Sequence, residues 1–307
     1  MITKVNLRIA DINIEMISRF PLEELSESER IAQVEERFKN FLYAGNLNPD
    51  ISIRIEIVKK LPLIKNAKLQ FITYHFQDKS ENWRFLKVNS SYIFKSPLED
   101  KKQLMLINKD FDTVTAYLLP HKSKGFVWNF TDIIYDFSQV LLINYLAQRN
   151  EGIFTHSVGI KDLNGEGIAF IGKSGAGKST IARFWYNYSK AMILNDDRII
   201  VRRCKDRFFI FGSPWHGTFS DYLKSKIESA PLKKIFFIHH AKENCLRKIN
   251  QKQAFILLYP SLFPTFWDQR LLGNITTFCF DLLNSVECYS LGFRKDKSVI
   301  DFIRQIK

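Results

Sequence analysis

The sequence predicts an α/β protein built in two parts, a β-rich α+β domain over residues 1–128 and an α/β domain over residues 129–307. Three observations carry this. At roughly 150 residues per domain, a chain of 307 residues holds about two. The first part alternates apolar and polar positions at a period of two, whereas the second interleaves strand-like runs with helical periods. Apolar residues make up 46% of the chain and charged residues 25%, the balance of a packed globular protein rather than a disordered one. The 27 phenylalanines promise an aromatic interior.

In the first part Val5, Leu7 and Ile9 alternate, and Ile12, Ile14 and Met16 resume in the opposite phase, as a turn or bulge at Ala10-Asp11 would produce. Ile51, Ile53, Ile55 and Ile57 give the cleanest strand. Leu69/Phe71, Trp83/Phe85, Leu104/Leu106 and Val114/Ala116/Leu118 continue the period. Short strands between polar turns, without helical crossovers, predict an antiparallel sheet. The Glu- and Arg-rich stretch Leu22–Phe41 reads as an early helix. This part carries no chemical motif, and the lone His75 and His121 read as structural. It is either a packing scaffold or a partner-recognition domain whose edge strands accept an extended peptide.

A helix over Thr131–Gln148 opens the second part. Ile134, Phe137, Leu141 and Tyr145 share a face, Ile133, Val140 and Ile143 widen it, and Thr131 or Asn129 can cap it. Strands at Thr155–Lys161 and Gly167–Gly172 are joined by a tight turn at Asn164-Gly165. A helix follows over about Gly177–Ser189, then strands at Met192–Leu194, Ile199–Arg203 and Phe208–Phe211 and the loop Gly212–Gly217. Lys234–His240 reads as a buried strand, Gln251–Tyr259 and Phe266–Leu283 as helices, Val286–Ser290 as a strand, and the chain from Ser298 as a last helix.

Composition excludes several classes. The longest apolar runs, such as Phe255–Pro260, are core-sized and far short of the ~18–20 residues that span a bilayer, so no membrane partner is expected. The N-terminus alternates apolar with charged residues, unlike a secretory segment. Cys204, Cys245, Cys279 and Cys288 lack Cys-x-x-Cys spacing and read as reduced, buried thiols of a cytoplasmic protein. With 45 basic and 32 acidic residues the net charge is +13, and the excess is uneven. Residues 1–150 hold 21 basic and 18 acidic side chains, and residues 151–307 hold 24 and 14, which places an anionic ligand in the second part. The chain shows no DNA or RNA recognition motif and no dense Arg/Lys run, which favours a nucleotide or phosphorylated substrate over nucleic acid.

One motif carries chemistry. Gly172-Lys173-Ser174-Gly175-Ala176-Gly177-Lys178-Ser179 fits G-x-x-x-x-G-K-[ST] at every fixed position, after an apolar strand and at the opening of a helix. Glycines let backbone N–H groups wrap phosphate oxygens, and the helix N-terminus adds partial positive charge. Lys178 can reach the β- and γ-phosphates, and the Ser179 hydroxyl can ligate Mg²⁺. Asp196-Asp197 follows eighteen residues after Lys178, at the end of an apolar segment. Adjacent carboxylates there permit one to hold the metal and the other to accept a proton from an attacking hydroxyl. His156 lies sixteen residues before Gly172, and a paired hairpin would bring it toward the loop.

Together these pieces resemble the catalytic domain of the HPr kinase/phosphorylase-like serine kinases, a group allied to ATP-dependent phosphoenolpyruvate carboxykinase. The elements that carry the resemblance are HSVGI (156–160), GKSGAGKST (172–180) and NDDRIIV (195–201). The likeness is specific over residues 155–203, vaguer over GSPWHG and APLKKIFFIHH, and only architectural over residues 1–130. It implies a P-loop, phosphoenolpyruvate-carboxykinase-like domain with a mixed sheet, binding ATP and Mg²⁺. On the matching positions, Gly172, Ser174, Gly175, Ala176, Gly177, Lys178, Ser179 and Thr180 would hold the nucleotide. Ser179 and Asp197 would hold the metal, Asp196 would be the general base, and His156 would lie near the transferred group. Two departures argue against action on HPr and against the reverse phosphorylase reaction. Thr180 stands where the bifunctional enzymes often carry Glu, and their later RGxG signature is absent. The second metal-ligand set of the carboxykinases is not evident either, which argues against decarboxylation of oxaloacetate.

The reading is therefore an ATP-dependent phosphotransferase acting on a hydroxyl acceptor, either Ser of a small protein or peptide or a small molecule. The alternative is a nucleotide-binding regulatory or assembly module with weak or no ATP hydrolysis. Intact Lys178, Ser179 and paired aspartates favour the first. Trp215 and His216 are candidates for the acceptor side or parts of a structural loop. A homo-oligomer is compatible with either reading.

Overall fold

The computed structural model describes residues 3–18, 36–45, 48–74, 81–95, 103–119, 130–217 and 228–306. It divides into two compact units, Met1–Tyr145 and Leu146–Lys307. The division falls within the helix that the sequence reading assigns wholly to the second part. His75, His121, Asn129 and most of the helix read over Leu22–Phe41 lie outside the described residues.

In the first unit, strands β1 (Thr3–Ile9), β2 (Ile12–Ser18), β3 (Ile51–Ile57), β4 (Lys68–Tyr74), β5 (Glu81–Val88), β6 (Ser91–Lys95), β7 (Gln103–Ile107) and β8 (Thr113–Leu118) form one sheet. Its order is β1-β2-β3-β8-β7-β6-β5-β4. A short helix, α1 (Glu36–Lys39), precedes β3, and α2 (Phe130–Arg149) follows β8. Ala10 and Asp11, at φ 50° and 57°, make the two-residue turn that pairs Ile9 with Ile12, which accounts for the change of phase.

The sheet is mixed, not antiparallel, because β3 runs parallel to both β2 and β8. The long connection from Ser18 to Ile51 and the excursion through β4–β7 each return the chain to the same end of the sheet, as parallel neighbours require. Alternation reports one buried face and is blind to strand direction. Leu69 is exposed, next to a register shift on the outermost strand β4. In β6, Tyr92, Ile93 and Phe94 are buried in succession, so that strand carries no period of two. Phe85, Tyr92 and Phe111 stack at centroid distances of 5.4 and 4.8 Å, and Phe137 of α2 meets Phe94 at 5.4 Å.

In the second unit two long strands are each shared by two sheet layers. These are β9 (Gly152–Lys161) and β14 (Ser229–His240). The first half of β9 pairs β12 (Arg198–Cys204), which continues through β13 (Arg207–Phe211) to the start of β14. The second half of β9 pairs β10 (Gly167–Ile171) and β11 (Met192–Asn195). β10 then lies parallel to the second half of β14, which lies parallel to β16 (Glu287–Phe293), and β15 (Cys245–Lys248) pairs β16 at the edge. The chain is thus α/β with mixed sheets. The β9–β10 loop spans 162–166 with Gly165 at φ +80°, longer than the tight turn expected but centred on the same glycine.

Helix α3 (Lys178–Tyr188) buries Ile181, Ala182 and Trp185. Trp185 lies 6.2 Å from Phe170 of β10. Phe170, Phe236 and Tyr289 stack in a row across β10, β14 and β16, each neighbouring pair at 5.5 Å. Asn250 and Gln253 form a reciprocal capping box that starts α4 (Gln251–Leu258), followed by a 3₁₀ turn, Tyr259–Ser261. Asp268 caps α5 (Gln269–Ser285), and α6 (Ser298–Arg304) closes the unit. No described helix is long and apolar enough to cross a membrane.

The expectation of four buried thiols is corrected. Cys245 is exposed and Cys204 half-buried, whereas burial pushes the Cys279 and Cys288 thiols up to about 12. The apolar run 255–260 lies mostly at the surface. Only Leu258 within it is buried, and Ile256 and Leu257 are 61% and 42% exposed.

The aromatic row sets the first expected outcome. Phe236→Ala removes its fully buried middle member and should destabilise the second unit by about 3–5 kcal/mol in urea denaturation. Phe236→Leu should recover more than half of that loss.

Candidate functional site

The shared strand β9 positions the site. Ser157 pairs with Ile171, the last residue of β10, and His156 pairs with Arg198, the first of β12. The point where β9 passes from one layer to the other therefore lies beside both the Gly172–Lys178 loop and the Asp196-Asp197 turn. Ligands of open α/β sheets bind at such places, beyond the carboxyl ends of strands.

The loop is held by its own backbone. Ala176 N donates to Lys173 O at 3.0 Å. Gly175 and Gly177 adopt φ +80° and +99°, which side-chain-bearing residues resist. A Cβ on Gly177 would also press within 2.5 Å of the Phe293 ring, while Gly175 faces open space. His240 Nε2 donates to Gly175 O at 3.0 Å and fixes the middle of the loop. Lys178 Nζ donates to Gly172 O at 2.7 Å and points the ammonium back over the loop. Burial pushes that ammonium down from its ordinary value, and the charge of Asp197 opposes the shift.

The two aspartates are tuned in opposite directions. Asp196 is 5% exposed and accepts from Gly217 N at 2.9 Å. Burial raises its carboxyl above the usual range despite that bond, and the charge of Asp197 adds to the rise. Burial alone would also raise Asp197. A hydrogen bond and charge from His156, with the charges of Arg198 and Lys178, reverse this and hold Asp197 below the usual range. His156 Nε2 lies 2.9 Å from Asp197 Oδ1, and Arg198 Nε lies 3.2 Å from Oδ2.

Behind the turn lies a residue to which the sequence reading gives no role. Asn195 is fully buried, and its Oδ1 accepts from Asp197 N at 2.8 Å and Arg198 N at 2.9 Å. Its Nδ2 donates to Ser213 O at 2.9 Å and lies 3.3 Å from Trp215 O. One amide thereby ties the aspartate turn to the Gly212–Gly217 loop. Trp215 is 1% exposed and packs 5.8 Å from Phe154, so it is structural rather than an acceptor contact. His216 is half-buried and bonds Gly217 O through Nδ1 at 2.9 Å.

A cavity of about 440 Å³ gathers His156, Ser174, Gly175, Gly177, Lys178, Ser179, Thr180, Asp196 and Asp197. Gly217, His240 and Lys295, which the sequence reading does not assign to the site, complete its lining. Gly172 and Ala176 do not line this cavity. They line a neighbouring one with Lys173. The donor set fits a triphosphate, with a glycine loop facing open space, a lysine and a helix N-terminus. Among the described residues no three His, Cys, Asp or Glu side chains form a ready-made metal cage. Mg²⁺ beside a nucleotide needs none, since one or two protein oxygens, waters and phosphates complete its shell. The chain matches no protein-family model, and no curated protein matches it.

Two outcomes follow. Asn195→Ala leaves buried N–H and C=O groups without a partner and should destabilise by about 1–3 kcal/mol in urea denaturation. For Asp196, the folded state holds its proton more tightly than the unfolded chain, so ionisation opposes folding. That penalty is absent below the unfolded carboxylate pKa of about 4 and full above the folded value. Asp196→Asn should therefore melt above the parent at pH 7, with the gap closing toward pH 4 in thermal scans.

Proposed function

We propose that the chain is an ATP-dependent kinase of the HPr-kinase-like group, transferring a γ-phosphoryl group to a hydroxyl acceptor in the cytoplasm. The observation that carries the reading is the convergence of the glycine loop, Lys178, Ser179 and two oppositely tuned carboxylates on one cavity. A binding module needs the loop and Lys178 but has no use for a buried carboxylate with raised proton affinity beside them.

In this reading the loop N–H groups and Lys178 hold the phosphates, with Lys178 turning from Gly172 O to the β- and γ-oxygens. Ser179 and Asp197 would hold Mg²⁺, which supplies charge neutralisation when bound. Asp197 suits that role because His156 and Arg198 keep it ionised and fixed in place. Asp196 accepts the acceptor's proton, a task helped by a carboxyl whose proton affinity has been raised. The acceptor oxygen bonds to the γ-phosphorus as the bond to the β,γ-bridging oxygen breaks. The electron pair leaves with ADP and the proton rests on Asp196.

Lys178→Ala should weaken Mg·ATP binding or transfer by orders of magnitude in calorimetry and single-turnover labelling. Asp196→Asn should retain Mg·ATP affinity and lose ~10²–10⁴-fold in turnover, read as transfer or as background hydrolysis. Asp197→Asn should also weaken the Mg²⁺ dependence of binding. Parent-like turnover in both aspartate variants would reduce the chain to a nucleotide-binding module.

A further inference from the structure

The phosphate cavity has a neighbour. A second cavity of about 700 Å³ is walled by Gly172 and Ser174 of the loop, by Phe237 in β14, and by Ile256 and Leu257 of α4. That volume is in the range of small-molecule sites, typically ~300–1,000 Å³. His156, Ser174 and Lys178 line both cavities and so form a shared wall. Ser179, Thr180 and both aspartates line only the first.

This distribution orients the second cavity. In a phosphate loop the backbone N–H groups cradle the α- and β-phosphates, while the lysine reaches the β- and γ-phosphates. A space lined by Lys178, and by His156 that bonds Asp197, opens on the phosphates from the side of the lysine. Its chemistry is mainly apolar, with Ile171, Phe237, Ile238 and Pro260 among its lining, and no carboxylate lines it. The exposed Ile256 and Leu257 on its rim serve no core, yet they extend that apolar wall.

We propose that this second cavity holds the acceptor, and that the acceptor is a small alcohol with an apolar, non-cationic body. The proposal rests on the kinase reading above. The body lies against Phe237, Ile256 and Leu257, and the hydroxyl sits at the wall formed by His156, Ser174 and Lys178. Past that wall it reaches the first cavity, where its oxygen bonds to the γ-phosphorus, the bond to the β,γ-bridging oxygen breaks with its electron pair going to ADP, and the alcohol proton passes to Asp196, which lines that cavity. The products are an alkyl phosphate and ADP.

The test uses the full chain with ethanol, 1-butanol, 1-hexanol and 1-octanol as probes. Binding is read by saturation-transfer NMR with and without Mg²⁺ and a non-hydrolysable ATP analogue. Affinity should rise about three- to fourfold per added methylene until the cavity is filled. It should not compete with the nucleotide. The rise should flatten in the Ile256→Glu, Leu257→Glu double variant, and Leu257→Ala, a milder change at an exposed position, should lower it partially if the double variant fails to melt cooperatively. No dependence on chain length, competition with the nucleotide, or a parent-like series in folded variants would overturn the proposal. A second arm incubates the chain with γ-labelled ATP and 1-hexanol. Labelled hexyl phosphate supports the assignment. Alcohol binding with ATP hydrolysis but no hexyl phosphate overturns the acceptor assignment alone. Binding with neither transfer nor hydrolysis overturns the kinase reading and the proposal with it.

Discussion

A buried amide must find a partner for every polar atom or lose a hydrogen bond that water would have supplied. Asn195 meets that demand by bonding to two segments far apart in sequence, the start of β12 and the loop after β13. Because its oxygen accepts from the amides of Asp197 and Arg198, the path of the turn is fixed. Because its nitrogen donates to Ser213 O, the loop bearing Gly217 is fixed against that turn. Gly217 can then give its N–H to Asp196, while Asp197 is left to His156 and Arg198. The separation of two adjacent carboxylates into different environments follows from this one side chain.

That separation gives like groups unlike chemistry. Both aspartates lose solvation, which by itself raises both. The difference lies in what faces each. Asp197 has an imidazole and a guanidinium at its two oxygens, with the Lys178 charge nearby, and these outweigh its burial. Asp196 has backbone N–H groups, that of Gly217 foremost, and a lesser charge from His216, and these do not outweigh its burial, to which the charge of Asp197 adds. Ionised Asp197 in turn holds the proton on Asp196 more tightly, so an anion fit for a cation and a carboxyl fit for a proton are produced by a single arrangement.

The sequence made part of this legible. The glycine loop after β10 could be read because tight backbone conformations restrict residue types, and Gly175 and Gly177 do sit at positive φ. The nearness of His156 could be read because hairpin pairing is local. The long strands β9 and β14 extend beyond the runs that the sequence pattern marks, since their first halves serve a second layer whose partners lie elsewhere in the chain. The parallel placement of β3 was hidden because alternation records burial and not direction. β15, nearly all exposed, has no apolar pattern to find. Asn195 stood in plain view before the aspartates, but the hydrogen bonds that give it meaning reach to residues 213 and 215.

Folding rules are broken at two places around the loop, and the breaks are of opposite kind. Asp196 buries a carboxyl that burial makes reluctant to ionise, and α4 leaves Ile256 and Leu257 in water. Single exposed apolar residues such as Leu63 or Leu163 need no explanation, since folded surfaces carry many. A run that extends the apolar wall of a cavity is different, because the cavity gives it something to do. Neither feature aids stability where it stands, and both border cavities that share His156, Ser174 and Lys178. Departures from the consistency a sequence keeps elsewhere are the mark of candidate functional sites. On the proposed function, the polar break stands where a proton would be held, and the apolar break where the apolar body of an acceptor would leave water.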